Sequence, residues 1–443
     1  MTDQNKVLVD TLIDARWVVP VEPARQVLSR HSIAVDAGRI AAILPTAEAH
    51  GRYQARSHFR LEDHAVIPGL VNLHTHAPMT LLRGLADDLP LMEWLNNHIW
   101  PAEGKFVSPE FVHDGTLLAC AEMLRGGITC FNDMYFYPRA AAQAALAAGM
   151  RATIGMIALE FPTSYAADAD DYLSKGLEFR DEFMEEPLIS SCLAPHAPYT
   201  VSDKTFARIL TYAEQLNLNI HVHLHETQDE IAHSLEQHHQ RPLQRLRNLG
   251  LLGPNLIAVH AVHLDDEEIA LLATQGCHVA HCPTSNLKLA SGIAPVAALL
   301  RKGVNVGLGT DGAASNNRLD LFGEMRLAAL LAKGISGDAS TLPAHQALQM
   351  ATLNGAKALG LDAVTGSLVA GKAADIVAVS LSDLETSPCY DVVSHLAYAA
   401  GRENVSHVWV NGELRLDERR LTTLDARDLA AKAAFWQTRI SQG

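Results

Sequence analysis

Three features of this 443-residue chain predict an α/β protein: a (β/α)8 TIM-like barrel with a small β-sandwich domain formed from both chain ends. Short β-branched runs alternate with longer amphipathic stretches from about residue 65 onward. Eight such runs fit in the middle of the chain, the strand count of that barrel. The two flanks read instead as short alternating segments separated by turn residues. The expected division is 1–64 for the N-terminal part of the small β domain, 65–363 for the barrel, and 364–443 for the C-terminal part plus a terminal helix.

In the first flank the alternating segments are Lys6–Ile13, Ser32–Asp36 and Arg39–Leu44. The barrel runs then follow as Ala65–Leu73, Ile128–Met134, Ala152–Leu159, Ile189–Ala194, Asn219–His225, Leu256–His260, His278–His281 and Val304–Thr310. Between them, apolar residues recur at three- and four-residue spacing over Glu110–Arg125, Arg139–Gly149, Asp203–Leu216, Asp265–Gln275 and Ala294–Arg301, which predicts helices. A doubly wound open sheet is the main competitor. It places a Gly-rich phosphate loop after its first strand, where this chain has Asn72-Leu73-His74-Thr75-His76. The second flank holds Ala374–Val379 and His407–Val410, followed by the turn pair Asn411-Gly412, and Leu424–Ile440 reads as a helix.

Composition narrows the function. Hydrophobic residues make up 48% and charged residues 19%, an ordinary soluble globular balance with ample material for a core. The net charge of −15, with no basic cluster to offset it, argues against a nucleic-acid or anionic-membrane partner. The opening Met1–Lys6 is polar and the apolar segment after it is broken by Asp10 and Asp14, so neither a signal peptide nor a membrane span is expected. Six cysteines without a C-x-x-C pair suit reduced, buried thiols and a cytoplasmic location.

The chain has 22 histidines, enough for roughly one H-x-H by chance, so position decides their meaning. In a barrel the catalytic groups project from the C-terminal ends of the strands. Those ends hold His74 and His76, then His196, then His221, His223, His225 and Glu226, then His260, His281 and Asp311. Alternate residues of a strand face the same way, so His74 and His76 can meet one ion, with a strand-5 imidazole and the strand-8 carboxylate approaching from the far side. Such a set favours Zn2+, with Fe2+, Mn2+ or Co2+ able to use the same ligands. Not all three strand-5 histidines can bind. Trp94 and Trp100 could wall an apolar pocket or pack in the core, and Met92 is expected in the core.

The motifs Pro68-Gly69-Leu70-Val71-Asn72-Leu73-His74-Thr75-His76, His223-Leu224-His225-Glu226, Gly309-Thr310-Asp311-Gly312 and Gly371-Lys372-Ala373-Ala374-Asp375 resemble those of the amidohydrolase superfamily, in its deaminase and chlorohydrolase branch. Leu89–Leu95, Trp100-Pro101-Ala102-Glu103, His196 within Pro195-His196-Ala197-Pro198-Tyr199, and Ser315 make the chain most similar to the 5′-methylthioadenosine/S-adenosylhomocysteine deaminases. The resemblance implies a metal held by His74, His76, His223 and Asp311. Strand 4 ends in His196 and offers no bridging lysine, which implies one ion per subunit. By the same resemblance Glu226, His260 and Asp311 are catalytic, and Glu103, His196, Arg151, Ser315 and Trp94 contact the substrate. His221 is then expected to pack or hydrogen-bond within the barrel, and His225 to be structural.

The activity so implied is hydrolytic deamination of the 6-amino group of an adenosine derivative, 5′-methylthioadenosine first and S-adenosylhomocysteine or adenosine after it. The nearest alternative is a hydrolase of a free purine, pterin or triazine ring with the same metal centre, and one of another class is a non-catalytic assembly protein. A homo-oligomer is a further expectation. Position after the first barrel strand marks Ala86–Asn97 as the segment to cover the site.

Overall fold

The computed structural model describes residues 6–442, so the polar opening Met1–Asn5 lies outside the described residues. The first flank forms strands β1 (Val7–Val18), β2 (Leu28–Asp36), β3 (Arg39–Pro45) and β4 (Tyr53–Pro68). The barrel strands are β5 (Leu70–Thr75), β6 (Ile128–Tyr135), β7 (Arg151–Ala158), β8 (Ile189–Pro195), β9 (Ile220–Leu224), β10 (Leu256–His260), β11 (His278–His281) and β12 (Asn305–Leu308). The second flank adds β13 (Ile376–Ser380), β14 (Val405–Val410), β15 (Glu413–Asp417) and β16 (Arg420–Leu421).

Strands β5 to β12 pair in sequence order, all parallel, with helices between them. The seam between last and first strand is held by polar groups. Beyond β12, the Asp311 N–H donates to the His74 carbonyl at 3.0 Å. The buried Asn72 amide accepts from the Thr310 N–H at 2.9 Å and donates to its hydroxyl at 2.8 Å. That pairing satisfies an amide that would otherwise be costly to bury.

The flanks combine into a second sheet, ordered β16-β15-β14-β13-β4-β1-β2-β3. Ile13, Ile33, Ile40, Val66, Ile376 and Trp409 share its core, so neither end could bury its apolar face alone. The turn after β2 meets the turn after β14, which folds the sheet back on itself as a sandwich. Gly38 and Gly412 stand at that contact with φ of +76° and +81°, and a Cβ on Gly38 would lie 2.7 Å from the Asn411 carbonyl.

One expected strand is divided. Of Ala65–Leu73, residues 65–68 end β4 and pair with β13, while the barrel strand begins only at Leu70. Gly69 is the crossing point, where a Cβ would fall 1.9 Å from the Thr129 hydroxyl. A continuous apolar run hides such a break, because both halves are buried strand. The sixteen-residue length of β4 was also not legible, since its exposed polar positions mask the alternation. The predicted helices stand within two residues of their expected bounds, the last as Ala426–Ser441, whose buried Trp436 donates to Asp114 at 3.0 Å. Among the described residues no helix is long and apolar enough to cross a membrane, and no disulfide links the six cysteines.

Candidate metal centre and active site

His74 on β5 and His76 just beyond it project into the mouth of the barrel. Their Nε2 atoms lie 3.2 and 3.3 Å from Asp311 Oδ1. His223 on β9 brings its own Nε2 to 3.3 Å from that of His74, and the three imidazoles offer nitrogens within 4.8 Å of one another. The tautomers follow from the outer partners. His76 Nδ1 donates to the Met134 carbonyl at 2.6 Å and His223 Nδ1 to the His196 carbonyl at 2.8 Å, so each ring turns its Nε2 inward as the ligating nitrogen.

Burial holds the His74 pKa down to about 4 and that of His223 well below the usual imidazole range, so neither of these two rings is a cation that could balance the carboxylate. Burial pushes the Asp311 carboxyl up, but its hydrogen bond from His74 and the neighbouring imidazoles outweigh this and hold it well below the usual carboxylate range. Inward lone pairs and an ionised carboxylate at one point are reconciled by a divalent cation, and the donor set fits one.

The other strand-5 histidines are committed elsewhere. His221 Nε2 lies 3.0 Å from His74 Nδ1 and orients that ring. His225 Nδ1 donates to the His263 carbonyl, while its Nε2 accepts from the Leu243 N–H, each at 3.0 Å. His221 thus hydrogen-bonds within the barrel, and His225 is held by main-chain groups.

Glu226 follows β9 by two residues and faces His260, whose Nε2 is 3.7 Å from Glu226 Oε2. Burial raises the Glu226 pKa above the ordinary glutamate range. His260 and Asp311 both adopt left-handed backbone, with φ of +71° and +61°, strain of the kind found where a site dictates direction.

Several supporting residues escaped sequence reasoning. Glu230 accepts the main-chain N–H groups of His225 and Glu226 at 2.9 and 2.8 Å, clamping the turn that presents Glu226. Ser285 donates to Asp311 Oδ2 at 2.6 Å, beside the expected Ser315, which donates to the same oxygen at 2.8 Å, and His260 Nδ1 lies 2.8 Å from Asn286 Oδ1. Ser285 and Asn286 lie four and five residues beyond β11, on the short helix Pro283–Lys288 at its catalytic end, which is the one signal that could have singled them out.

A cavity of about 300 Å³ opens above these groups. Glu103, His196, Ser315, Trp94 and Trp100 line it, as do Leu91 and Leu95 of the segment Ala86–Asn97. Met92, expected in the core, is instead 37% exposed. Glu103 accepts from the Tyr135 hydroxyl at 2.6 Å. Burial raises its pKa to about 7 against the opposing effect of that hydrogen bond.

Arg151 is the correction. It begins β7, at the strand end opposite the chemistry, and its guanidinium pairs with buried Asp375 at 2.9 Å. Asp375 also accepts from the Asn411 N–H at 2.7 Å, so Arg151 fastens the barrel floor to the small sheet and does not line the cavity. Arg151→Ala should therefore cost about 3–5 kcal/mol of stability by stranding a buried carboxylate, with KM and kcat of the folded fraction unchanged. Denaturant unfolding beside steady-state kinetics checks this.

A model of the amidohydrolase family matches residues 65–415. The chain belongs to the amidohydrolase family. This amidohydrolase is 49% identical over 436 residues to a 5-methylthioadenosine/S-adenosylhomocysteine deaminase of Saccharophagus degradans, covering 98% of each chain. It is 48% identical to one of Teredinibacter turnerae, covering 98% of this chain and 99% of the other. Among solved structures, an adenosine deaminase from Xanthomonas campestris with bound zinc superposes with a TM-score of 0.98 at 50% identity, over 99% of this chain and 100% of that one. An atrazine chlorohydrolase from Arthrobacter aurescens shares the fold at a TM-score of 0.90 and 23% identity, covering 96% of this chain and 100% of its own.

Proposed function

We propose that this amidohydrolase is a zinc-dependent deaminase that converts 5′-methylthioadenosine to its inosine analogue and ammonia, with S-adenosylhomocysteine and adenosine as lesser substrates. One observation carries the reading: a single cavity joins the imidazole cluster and Glu226 at its floor to Glu103 on its wall and to an apolar remainder around Trp94, Trp100 and Phe161. A ribose diol offers two donors that suit a carboxylate such as Glu103. No lysine or arginine is among the described residues lining the cavity, so a neutral thioether suits it better than an amino-acid tail. His74, His76, His223 and Asp311 would hold one Zn2+ per subunit, and the same ligands accept Fe2+, Mn2+ or Co2+. The zinc-bound relative from Xanthomonas campestris supports that choice. Five buried, unpaired cysteines support a cytoplasmic setting.

When bound, the ion supplies Lewis acidity that makes water a nucleophile at neutral pH. Glu226 takes a proton from the attacking water and delivers it to ring N1, which makes C6 electrophilic. His260, fixed by Asn286, stabilises the oxygen as C6 becomes tetrahedral. Asp311 receives the second proton and returns it to the departing amine. His196 and Ser315 border the ring, and Glu103 with Tyr135 holds the ribose.

Ammonia release by zinc-loaded protein tests the reading across 5′-methylthioadenosine, S-adenosylhomocysteine, adenosine, guanine and 8-oxoguanine, with chloride release from a chlorinated triazine. Turnover led by methylthioadenosine is expected, and activity only on free bases would overturn the substrate. Glu103 adds a pH signature. Its carboxylate is the ribose acceptor, so KM should rise as pH falls through about 7 and the group protonates. Tyr135→Phe removes the donor that favours the ionised form, so that limb should move to higher pH; an unmoved limb would detach Glu103 from ribose binding.

A further inference from the structure

A second group of metal-type ligands lies on the other sheet, sharing no residue with the barrel centre. Asp14 is on β1 and His58 on the neighbouring strand β4, where the pairings Leu12 with His58 and Asp14 with Arg60 put both side chains on one face. His50 comes from the short helix Thr46–Arg52. The two Nε2 atoms reach the same oxygen, Asp14 Oδ2, at 2.8 and 2.7 Å, and the rings meet edge to face with centroids 5.3 Å apart. Asp14 Oδ1 is already committed to the hydroxyl of buried Ser32 at 2.6 Å, which fixes the carboxylate and leaves Oδ2 for the imidazoles.

We propose that Asp14, His50 and His58 form a second divalent-metal site, for zinc or a similar ion such as nickel or cobalt. Two imidazoles and a carboxylate are the donor set such ions prefer over magnesium or calcium. The hydrogen-bonded triad is the metal-free form of the site. On binding, each imidazole carries its proton on Nδ1 and turns its Nε2 lone pair to the ion. Ligand bonds of about 2.0–2.2 Å then open the nitrogen–oxygen separations past 3 Å. Side-chain exposures of 43% for His50 and 30% for His58 leave room for that movement and for water to complete the coordination. Ser32 supplies the outer hydrogen bond that such sites use to orient a ligating carboxylate.

Equilibrium dialysis of the full-length protein against Zn2+, with bound metal counted by elemental analysis, tests the site. The wild type should hold about one ion more per chain than the variant carrying His50→Gln and His58→Gln, and Mg2+ should give no such difference. Ammonia release should be equal in the two proteins, which shows that the variant is folded and its barrel centre intact. Equal zinc content would overturn the proposal and leave a hydrogen-bonded triad only. If the double variant fails to fold, His58→Gln alone is read the same way, with an unchanged zinc content again decisive against the site.

Discussion

Glu226→Gln is expected to lower kcat by about 10²–10⁴-fold while bound metal and thermal stability stay at wild-type levels. The amide keeps the size of the carboxyl group and its place on the turn, which Glu230 holds through main-chain N–H groups and not through the Glu226 side chain. What is lost is the ability to take a proton from water and hand it to ring N1. Burial raises the pKa of the native carboxyl, so proton transfer in both directions is closer to balanced than for an exposed glutamate. Ammonia release measured with elemental analysis on the same preparation separates the outcomes. Near-normal turnover would remove Glu226 from the proton path. A parallel loss of metal would make it a ligand.

His223→Ala is expected to remove most of the bound metal and to lower turnover in proportion to the metal lost. A neighbouring histidine cannot step in. His221 is spent on orienting His74, and both nitrogens of His225 already have main-chain partners. The vacated space lies between His74, His196 and His260, whose rings surround His223 at centroid distances of 4.9, 4.9 and 5.4 Å, so the loss is local. Metal content after dialysis, read beside the rate with and without excess Zn2+, makes the measurement. Full occupancy in the variant would return the ligand role to another strand-5 histidine.

The sequence carried the barrel and the histidine-rich strand ends for one physical reason: a parallel strand buried on both faces is a short apolar run, and chemistry stands at its end. His74 and Asp311 were legible because each stands at or beyond the end of such a run, whereas His223 was singled out among the three strand-5 histidines only by the resemblance. Arg151 was assigned to the substrate by resemblance, although it precedes the run Ala152–Leu159 and so stands at the floor end of its strand, where Asp375, 224 residues away in the chain, pairs with it. Glu230 and Tyr135 were invisible for a related cause. Each acts through one hydrogen bond or a pair of them to a group whose position is set by the tertiary fold. The break at Gly69 depended on Thr129, again a contact between separate segments.

The interleaved small sheet has a consequence during synthesis. Strand β4 ends at Pro68, but its neighbour β13 begins only at Ile376, so one edge of the N-terminal half-sheet stays unpaired until nearly the whole chain has been made. At ribosomal speeds of about 5–20 residues per second, that edge waits tens of seconds with its ladder groups open. An open strand edge is a template for pairing with another nascent chain. The exposure of that edge therefore outlasts synthesis of the last barrel strand, which ends at Leu308, and β4 is the segment where shielding by a chaperone would act.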